Sequence, residues 1–414
     1  MEKTQWAGAE DVNAAVEAAE RAQKVWQAKD WTERRDVMVR FADLIAEHAE
    51  QIRYLETIVT GKPNAFSGFE YTIYQPFGVT AAIVAFNAPM MLFSMKVGPA
   101  LAAGNAVIVK TSELNPLPAI FAASLGAKAG FPDGLLSCFT GGAAAGIALS
   151  EHARIRKISF TGSIGTGKLV AIGAAKSNLK RVTLELGGKS PSVVFSDADL
   201  DKAVCAAAAG ITRYSGQICV APSRLYLHED IAEAFLVKLR KTVEDFATTF
   251  GADPLNPTTM SGPLFNHQQK KTVFAYLESG KKDATLLTGG SAVGDKGCYI
   301  QPTVFVDPQP DARVLREEVF GPVAVVVRFK TEEEAVALAN DNENGLAAYV
   351  WTRDAARGFR MTRALEAGSV VVNGPMELDA RIPFGGWKQS GLGVENAVEG
   401  LKAWLQIKTV IMNA

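Results

Sequence analysis

Short β-branched runs alternate with helical stretches beyond residue 71, and this alternation limits the chain to a few folds. Such an alternation predicts a parallel, doubly wound sheet. A first round of strands is predicted at Val79–Ala85, Ala106–Lys110, Leu135–Thr140, Lys157–Thr161 and Val182–Leu186. A second round follows Gly187-Gly188, with helices predicted at Leu200–Gly210 and Asp230–Phe250 and strands at Ser223–Leu227, Ala324–Phe329 and Ser369–Asn373. The pattern therefore predicts two α/β domains.

Chain length, composition and net charge indicate which kind of molecule the protein binds. The 414 residues exceed what one hydrophobic core usually serves, while 48% hydrophobic and 21% charged residues are ordinary for a soluble globular protein. The formal net charge of -1, with both signs interspersed, provides no electrostatic footprint for nucleic acid or for an anionic membrane. We expect a small molecule as the partner.

Targeting segments and metal sites are not indicated by the sequence. The first residues lack an apolar signal core, and the longest apolar runs are too short to span a bilayer. Cys138, Cys205, Cys219 and Cys298 are scattered without CxxC or Cys/His clusters. We expect a cytosolic protein with four free thiols, no disulfide framework and no metal site.

Two amphipathic helices are predicted at the start of the chain. Apolar residues recur at helical spacing over residues 9–27 and again over residues 32–59. Asp30 or Thr32 can cap the second helix, and Gly61-Lys-Pro63 supplies its stop.

The stretch Ile158–Leu169, ISFTGSIGTGKL, runs from a strand into glycines and a lysine, which commonly present backbone N–H groups to a phosphate. It matches GxxxxGK of a P-loop, but Leu169 cannot ligate magnesium at the next position. It also fails the full dinucleotide fingerprint, because Val170 occupies the third glycine position. Taken alone, the stretch fits a tight strand-to-helix turn equally well. A P-loop phosphotransferase is disfavoured.

A series of short motifs follows one order along residues 71 to 412. The motifs are Phe86–Pro89, Gly98–Asn105, Lys110–Glu113, Ala129–Pro132, Phe160–Ser163, Leu184–Lys189, Gly216–Cys219, Glu317–Pro322 and Pro383–Lys388. This ordered series closely resembles the aldehyde dehydrogenase superfamily. The resemblance implies two doubly wound α/β domains plus a small β oligomerisation arm, and it implies that the glycine stretch faces the pyrophosphate of NAD(P).

The resemblance also implies domain boundaries. Residues 1–68 and 78–186 would form the NAD(P)-binding domain, 187–389 the catalytic domain, and 69–77 with 402–414 a shortened arm. In the tail, a helical Val394–Trp404 precedes the β-prone Leu405–Met412, which predicts an exposed strand that needs a partner.

Three residues are marked by the resemblance for catalysis. Cys219 would attack the aldehyde carbon, because a planar carbonyl carbon donates hydride poorly until it becomes tetrahedral, and the product would be a thioester. Asn87, together with the backbone N–H of Cys219, would stabilise the negative charge that develops on oxygen. Glu185 lies between two leucines, so desolvation could raise its pKa towards neutrality and let it activate the hydrolytic water. A glutamate here resembles the branch of the family that releases a free carboxylic acid.

Cofactor residues follow from the same resemblance. Lys110 and Glu113 would contact the adenosine ribose, and the carboxylate favours NAD because it would repel the 2′-phosphate of NADP, which stays possible. The remaining residues are Phe160, Gly162, Ser163 and Gly167 at the glycine stretch, and Glu318 and Phe320 at the nicotinamide ribose.

The substrate pocket is predicted by analogy. Its walls would include Met90, Met91, Phe93, Tyr214, Leu378, Arg381 and Phe384. This mixture predicts a medium-sized, largely apolar aldehyde, aliphatic or aromatic. Arg381 leaves open a substrate with a distal carboxylate, which an arginine can bind bidentately.

The sequence departs from its relatives near residues 64–70. Family members carry a further helix and part of the β-arm between Gly61-Lys-Pro63 and Tyr71. Its absence predicts apolar surface that is either exposed or covered otherwise, and it predicts a dimer with at most a weak tendency to form tetramers. It also keeps open a second reading, in which the chain is a cofactor-binding or scaffold protein without turnover.

Overall fold

The computed structural model describes residues 9–412 except 49, 52–68, 250, 254, 257–258 and 260. By its internal contacts, the chain divides into a small unit, residues 1–71 with 409–414, and a large unit, residues 72–408. Among the described residues, no helix combines the length and the hydropathy needed to cross a bilayer.

The small unit contains the helices Ala9–Ala28 and Trp31–Glu47. Asp30, and not Thr32, caps the second helix, because its carboxylate accepts hydrogen bonds from the backbone of Thr32 and Glu33 while the Glu33 side chain accepts from the Asp30 N–H. This helix ends at Glu47 with His48 as its C-cap, earlier than the predicted end at residue 59. The part of the prediction from residue 52 onward and the stop at Gly61-Lys-Pro63 lie outside the described residues.

A six-stranded sheet contains the first round of predicted strands. Its spatial order is Gly391–Leu392, Arg181–Glu185, Lys157–Thr161, Val79–Ile83, Ala106–Thr111 and Leu136–Thr140. All neighbours pair in parallel except the edge strand Gly391–Leu392. The intervening helices are Pro89–Ala102, Leu117–Lys128, Ala143–Glu151 and Ile164–Ser177. The predicted parallel, doubly wound sheet is confirmed.

A seven-stranded sheet contains the second round. Its order is Ser369–Val372, Ala347–Trp351, Pro191–Val194, Arg224–His228, Val323–Phe329, Thr303–Val306 and Thr285–Thr288, and only the last strand is antiparallel. Its helices are Leu200–Thr212, Glu229–Ala247, His267–Asp283, Arg313–Arg316, Glu332–Asn340 and Ala355–Ala364. Apart from Gly391–Leu392, the two sheets draw their strands from the predicted ranges 78–186 and 187–389. The assignment of these ranges to a cofactor and a catalytic domain stays a prediction.

The other strands of the described residues form two two-stranded ribbons. The tail strand Leu405–Met412 pairs with Phe69–Pro76, so the partner that the sequence analysis expected for it is Phe69–Pro76. Asn344–Gly345 pairs with Trp387–Lys388. The helix before the tail, Ala397–Lys402, is shorter than predicted.

Exposed apolar side chains lie along one face of the Leu117–Lys128 helix. Leu117 is 75% exposed and Phe121 is 68% exposed, and Leu125, one turn further along, is also exposed. The three side chains form an exposed apolar stripe on this helix. That the shortened segment near residues 64–70 leaves an apolar surface stays a prediction.

Candidate active site

One large cavity opens at the carboxyl ends of the strands of the six-stranded sheet. Val79–Ile83 and Lys157–Thr161 are neighbours in this sheet, but the chain leaves them towards opposite edges. Such a switch point is where open α/β sheets bind ligands. The cavity has a volume of about 1270 Å³, and its lining includes residues that follow both strands, among them Asn87 and Ser163. That volume accommodates a dinucleotide beside a small substrate.

The loop that carries Cys219 begins with a left-handed turn. The Leu200–Thr212 helix is followed by Tyr214 and Ser215, at φ 51° and 52°, and by Gly216 at φ 67°. A Cβ at position 216 would lie 2.1 Å from the Gly321 carbonyl oxygen, so this position requires glycine.

Side chains hold this loop from several directions. The Gln217 amide donates to the Tyr214 carbonyl oxygen at 3.0 Å and accepts from the Phe265 N–H at 2.9 Å. The Tyr349 hydroxyl donates to the Val220 carbonyl oxygen at 2.7 Å. Residues on both sides of Cys219 are therefore held by hydrogen bonds, and Cys219 itself lines the cavity.

The environment of the Cys219 thiol disfavours its ionised form. Burial raises its pKa to about 12, and the negative charges of Glu318 and Glu185 act in the same direction. A thiolate nucleophile therefore forms here only when a nearby group accepts the proton.

Asn87 is attached to the same loop. Its side-chain amide donates to the Gln217 carbonyl oxygen at 3.0 Å, which uses one of its two N–H donors. Asn87 and Cys219 both line the cavity, and the amide retains a second N–H donor.

Glu185 ends the Arg181–Glu185 strand and lines the same cavity. Its side chain is buried, and neither carboxylate oxygen has a hydrogen-bond partner among the described residues. Burial raises its pKa well above the ordinary carboxyl value, and the nearby Glu395 raises it further, while Lys96 lowers it. An unpartnered buried carboxyl group of this kind is suited to exchange a proton with water.

A buried polar cluster behind Glu185 was not predicted. Lys96 is fully buried, and its ammonium donates to the Ser159 hydroxyl at 2.8 Å and pairs with the Glu395 carboxylate. Ser159 also donates to Glu395 at 2.7 Å. A signal existed in the sequence, since Lys96 is the one charged residue in the apolar helix Pro89–Ala102.

Lys96→Met is expected to lower the free energy of unfolding by about 3–5 kcal/mol, because the buried Glu395 carboxylate would lose its counter-ion. Urea denaturation measures the change. Lys238→Met is the matched control, since it removes an exposed pair with Asp201 and should cost less than about 1 kcal/mol. Equal losses in the two variants would contradict the expectation.

The residues predicted for the cofactor lie around the switch point. The glycine stretch is mostly helical: Ser163 caps the helix Ile164–Ser177 by accepting from the Thr166 N–H, so Gly165 and Gly167 lie inside the helix and do not form a P-loop. The first N–H groups of this helix lack intrahelical partners, which suits a pyrophosphate. Phe160, Gly162 and Ser163 line the cavity.

The remaining cofactor residues lie on both sides of the cavity. Lys110 lines it and lies 3.3 Å from the Glu113 carboxylate. Glu318 accepts from the Gly188 N–H at 3.1 Å, and burial raises its pKa to about 7. A Cβ at Gly187 would lie 2.1 Å from the Glu318 carboxylate, so only glycine permits this approach. Phe320 also lines the cavity. A helix N-terminus, a lysine–glutamate pair and a buried carboxylate fit the phosphates and ribose hydroxyls of a nicotinamide dinucleotide.

Some predicted residues do not reach the cavity. Gly167 packs on Leu186, and Glu113 is exposed beside Lys110. Phe93 belongs to the apolar core of the six-stranded sheet. Arg381 is 88% exposed and bound by Asp379 through both carboxylate oxygens. The predicted substrate residues that line the cavity are Met90, Met91, Tyr214, Leu378 and Phe384.

Comparisons with known proteins agree on one family. The model of the aldehyde dehydrogenase family matches residues 1–72 and 65–410. The two matched segments meet where the sequence analysis placed the missing helix. Aldehyde dehydrogenase 1 of Tanacetum cinerariifolium is 43% identical, over 97% of this chain and 87% of that protein. The NADP/NAD-dependent aldehyde dehydrogenase PuuC of Escherichia coli K12 is 42% identical over the same shares. The crystal structure of an indole-3-acetaldehyde dehydrogenase complexed with NAD+ superposes with a TM-score of 0.81 at 36% identity, over 98% of this chain and 89% of that one.

The fold and the cavity define an NAD(P)-dependent oxidoreductase. The chain belongs to the aldehyde dehydrogenase family and oxidises aldehydes with NAD(P). The predicted family, fold class, enzyme activity and cofactor are confirmed. Nothing in the comparisons supports the alternative of a protein without turnover.

Proposed function

We propose that Cys219, Asn87 and Glu185 convert an aldehyde to the free carboxylic acid through a thioester on Cys219. The observation that carries this proposal is that all three residues line one cavity: Asn87 is hydrogen-bonded to the loop of Cys219, and the Glu185 carboxylate has no hydrogen-bond partner in the described part of the chain. A nucleophile, an oxyanion donor and a base are the three groups that acyl transfer to water requires.

The first step forms a carbon–sulfur bond. The Cys219 sulfur, once deprotonated, adds to the carbonyl carbon, and the π-electron pair moves to the oxygen. The free N–H of Asn87 and the backbone N–H of Cys219 donate to that oxygen and stabilise its charge. NAD(P), when bound, supplies the acceptor for the hydride that the carbon loses. As the hydride leaves, the electron pair on oxygen re-forms the C=O bond, and the acyl group on the Cys219 sulfur is a thioester.

The second step breaks the carbon–sulfur bond. Glu185 in its ionised form accepts a proton from water, and the oxygen of that water attacks the thioester carbon. The Cys219 sulfur leaves with the bonding pair, and the carboxylic acid is released. Because Glu185 activates water at this site, coenzyme A is not required as the acyl acceptor.

The cofactor residues support NAD as the preferred form. We assign the adenosine ribose to Lys110, which lines the cavity, with Glu113 paired to it from outside the lining, the pyrophosphate to the helix start at Ser163, and the nicotinamide ribose to Glu318 beside Phe320. The Glu113 carboxylate beside Lys110 would repel a 2′-phosphate, and this is why NAD is favoured over NADP.

Product analysis and one variant test the proposal. Wild-type enzyme should form free acid and NADH in equal amounts without coenzyme A. Asn87→Ala should lower kcat by about 10²–10³-fold, because an oxyanion donor is lost. The control Asn178→Ala removes an amide that binds the Ala153 and Ile155 carbonyl oxygens outside the cavity, and kcat should stay unchanged. An acid-to-NADH ratio far below one, or an Asn87→Ala enzyme with normal kcat, would contradict the assignment.

The substrate is proposed to be a medium-sized aldehyde with a largely apolar body. Met90, Met91, Leu378 and Phe384 supply apolar walls, with Tyr214 beside them. One of the similar solved structures is that of an indole-3-acetaldehyde dehydrogenase, which is consistent with an aldehyde of this kind.

The assembly is proposed to be a cytoplasmic homodimer. The ribbon of Phe69–Pro76 and Leu405–Met412 exposes Ile407 and Ile411, which offers an apolar edge to a second copy. Sedimentation at micromolar concentration distinguishes the states, and a stable tetramer would refute the dimer.

A further inference from the structure

We propose that Arg213 binds a carboxylate at the far end of the substrate, so that the preferred aldehydes are ω-carboxylated. This inference rests on the proposed function and specifies its substrate class.

Charged side chains of both signs line the cavity. Its carboxyl groups belong to Glu185, Glu318 and Glu395, all largely or fully withdrawn from solvent. The cations in the lining are Lys110, Lys202 and Arg213. A substrate anion is not attracted by the inner carboxyl groups, so a charged group on the substrate is favoured only where a cation faces the cavity.

Two of the three cations already have partners. Lys110 lies 3.3 Å from the Glu113 carboxylate, and Lys202 lies 3.7 Å from the Asp199 carboxylate. The guanidinium of Arg213 has neither a hydrogen bond nor an ion pair within the part of the chain that the structure describes, and its side chain is exposed. It is therefore a free cation where the cavity meets solvent.

Arg213 ends the wall formed by the Leu200–Thr212 helix. This helix lines the cavity with residues at helical spacing, and between the two cations they are small: Cys205, Ala206, Ala209 and Gly210. Small side chains leave room for an extended, apolar substrate body along the helix. The guanidinium at the end of this wall is six positions before Cys219 in sequence and belongs to the same cavity.

A carboxylate fits this arrangement better than a phosphate. A guanidinium binds a carboxylate bidentately, and one unpartnered cation balances one negative charge. A phosphate dianion would need a second cation. Arg381, which the sequence proposed for this role, is unsuitable because Asp379 occupies its guanidinium outside the cavity.

The test compares aldehydes of the form OHC–(CH₂)n–COO⁻ with their methyl esters. Arg213→Met should lower kcat/KM for the carboxylates by about 10–100-fold, mainly through KM, while the esters change less than about twofold. Arg213→Lys should restore part of the loss, and added salt should weaken the wild-type preference. Arg381→Met and Lys202→Met are matched controls and should retain the wild-type preference.

Equal discrimination in wild type and Arg213→Met would overturn the inference, as would loss of the preference in Lys202→Met alone. Calorimetry can compare the dissociation constants of the dicarboxylate product and of the monocarboxylate of equal length, and this comparison does not depend on turnover. Wild type should bind the dicarboxylate more tightly, and Arg213→Met should lose that difference; an unchanged difference would refute the role of Arg213. Failure of wild type to oxidise any of these aldehydes, carboxylate or ester, would instead refute the catalytic proposal, and the binding measurement would still decide on Arg213.

Discussion

Cys219→Ser is expected to lower aldehyde-dependent NADH formation by at least about 10³-fold, because a hydroxyl is a far weaker nucleophile than a thiolate in this position. The loop conformation should survive, since the hydrogen bonds of Gln217 and Tyr349 that hold it do not involve the sulfur. NAD binding, followed by quenching of protein fluorescence, should therefore be retained. Absorbance of NADH measures turnover.

Cys205→Ser is the matched control for this experiment. Cys205 also lines the cavity and is exposed, but it lies on the Leu200–Thr212 helix and not in the loop beside Asn87. Its replacement should leave kcat within about twofold, because no bond to the substrate is lost. Robust turnover by Cys219→Ser, or its loss in Cys205→Ser alone, would show that the nucleophile has been assigned to the wrong residue.

Glu185→Gln is expected to give one burst of NADH per active subunit and then steady-state turnover that is lower by about 10²–10⁴-fold. The burst survives because oxidation precedes the hydrolytic step, while an amide cannot accept the proton of water. Rapid mixing resolves the burst, and steady-state absorbance gives the slow phase. Unchanged steady-state turnover would identify another group as the base.

The pH dependence of the wild type follows from the same carboxyl group. Burial and the charge of Glu395 raise the pKa of Glu185, so the ionised base becomes available only at higher pH than for an exposed glutamate. The rate of hydrolysis should therefore rise with pH through that raised pKa. In Glu185→Gln this rise with pH should be absent. Since Lys96 lowers the pKa of Glu185, Lys96→Met should move the limb to higher pH wherever the variant stays folded.

The burst amplitude in Glu185→Gln shows whether Glu185 acts only as the base for hydrolysis or also accepts the proton of the Cys219 thiol. The Cys219 thiol has a pKa raised to about 12, so some group must accept its proton before attack. A full burst in Glu185→Gln is the expected result and means that another acceptor suffices for the first step. A missing burst would contradict the assignment of Glu185 to hydrolysis alone.

Strand prediction succeeded where local sequence carried the signal. Lys157–Thr161 and Leu405–Met412 have the predicted bounds, because each is a β-prone run with a clear boundary. Pro191–Val194 and Ala347–Trp351 were missed, since both are short, completely buried strands without alternation. A buried strand of this kind is recognisable only by its neighbours on both sides of the sheet.

Prediction of the candidate site also succeeded where a local motif was present and failed where residues distant in sequence meet. Cys219, Asn87 and Glu185 were predicted from motifs, and the structure places all three on one cavity. Lys96 and Glu395 were missed although they pair directly, because 299 residues separate them along the chain. Arg381 had the right chemistry, but a neighbour two positions away occupies it.

The amino-acid sequence by itself indicated the family, the positions of most strands along the chain and the three side chains proposed for catalysis, because residue type, periodicity and motif spacing are local properties. Tertiary structure alone decided which ionisable groups share the buried region around Glu185, and which arginine lines the cavity without an ion pair to any described residue. Those properties depend on burial and on charges brought together from distant parts of the chain, and no local pattern encodes the distance between two residues that meet only on folding.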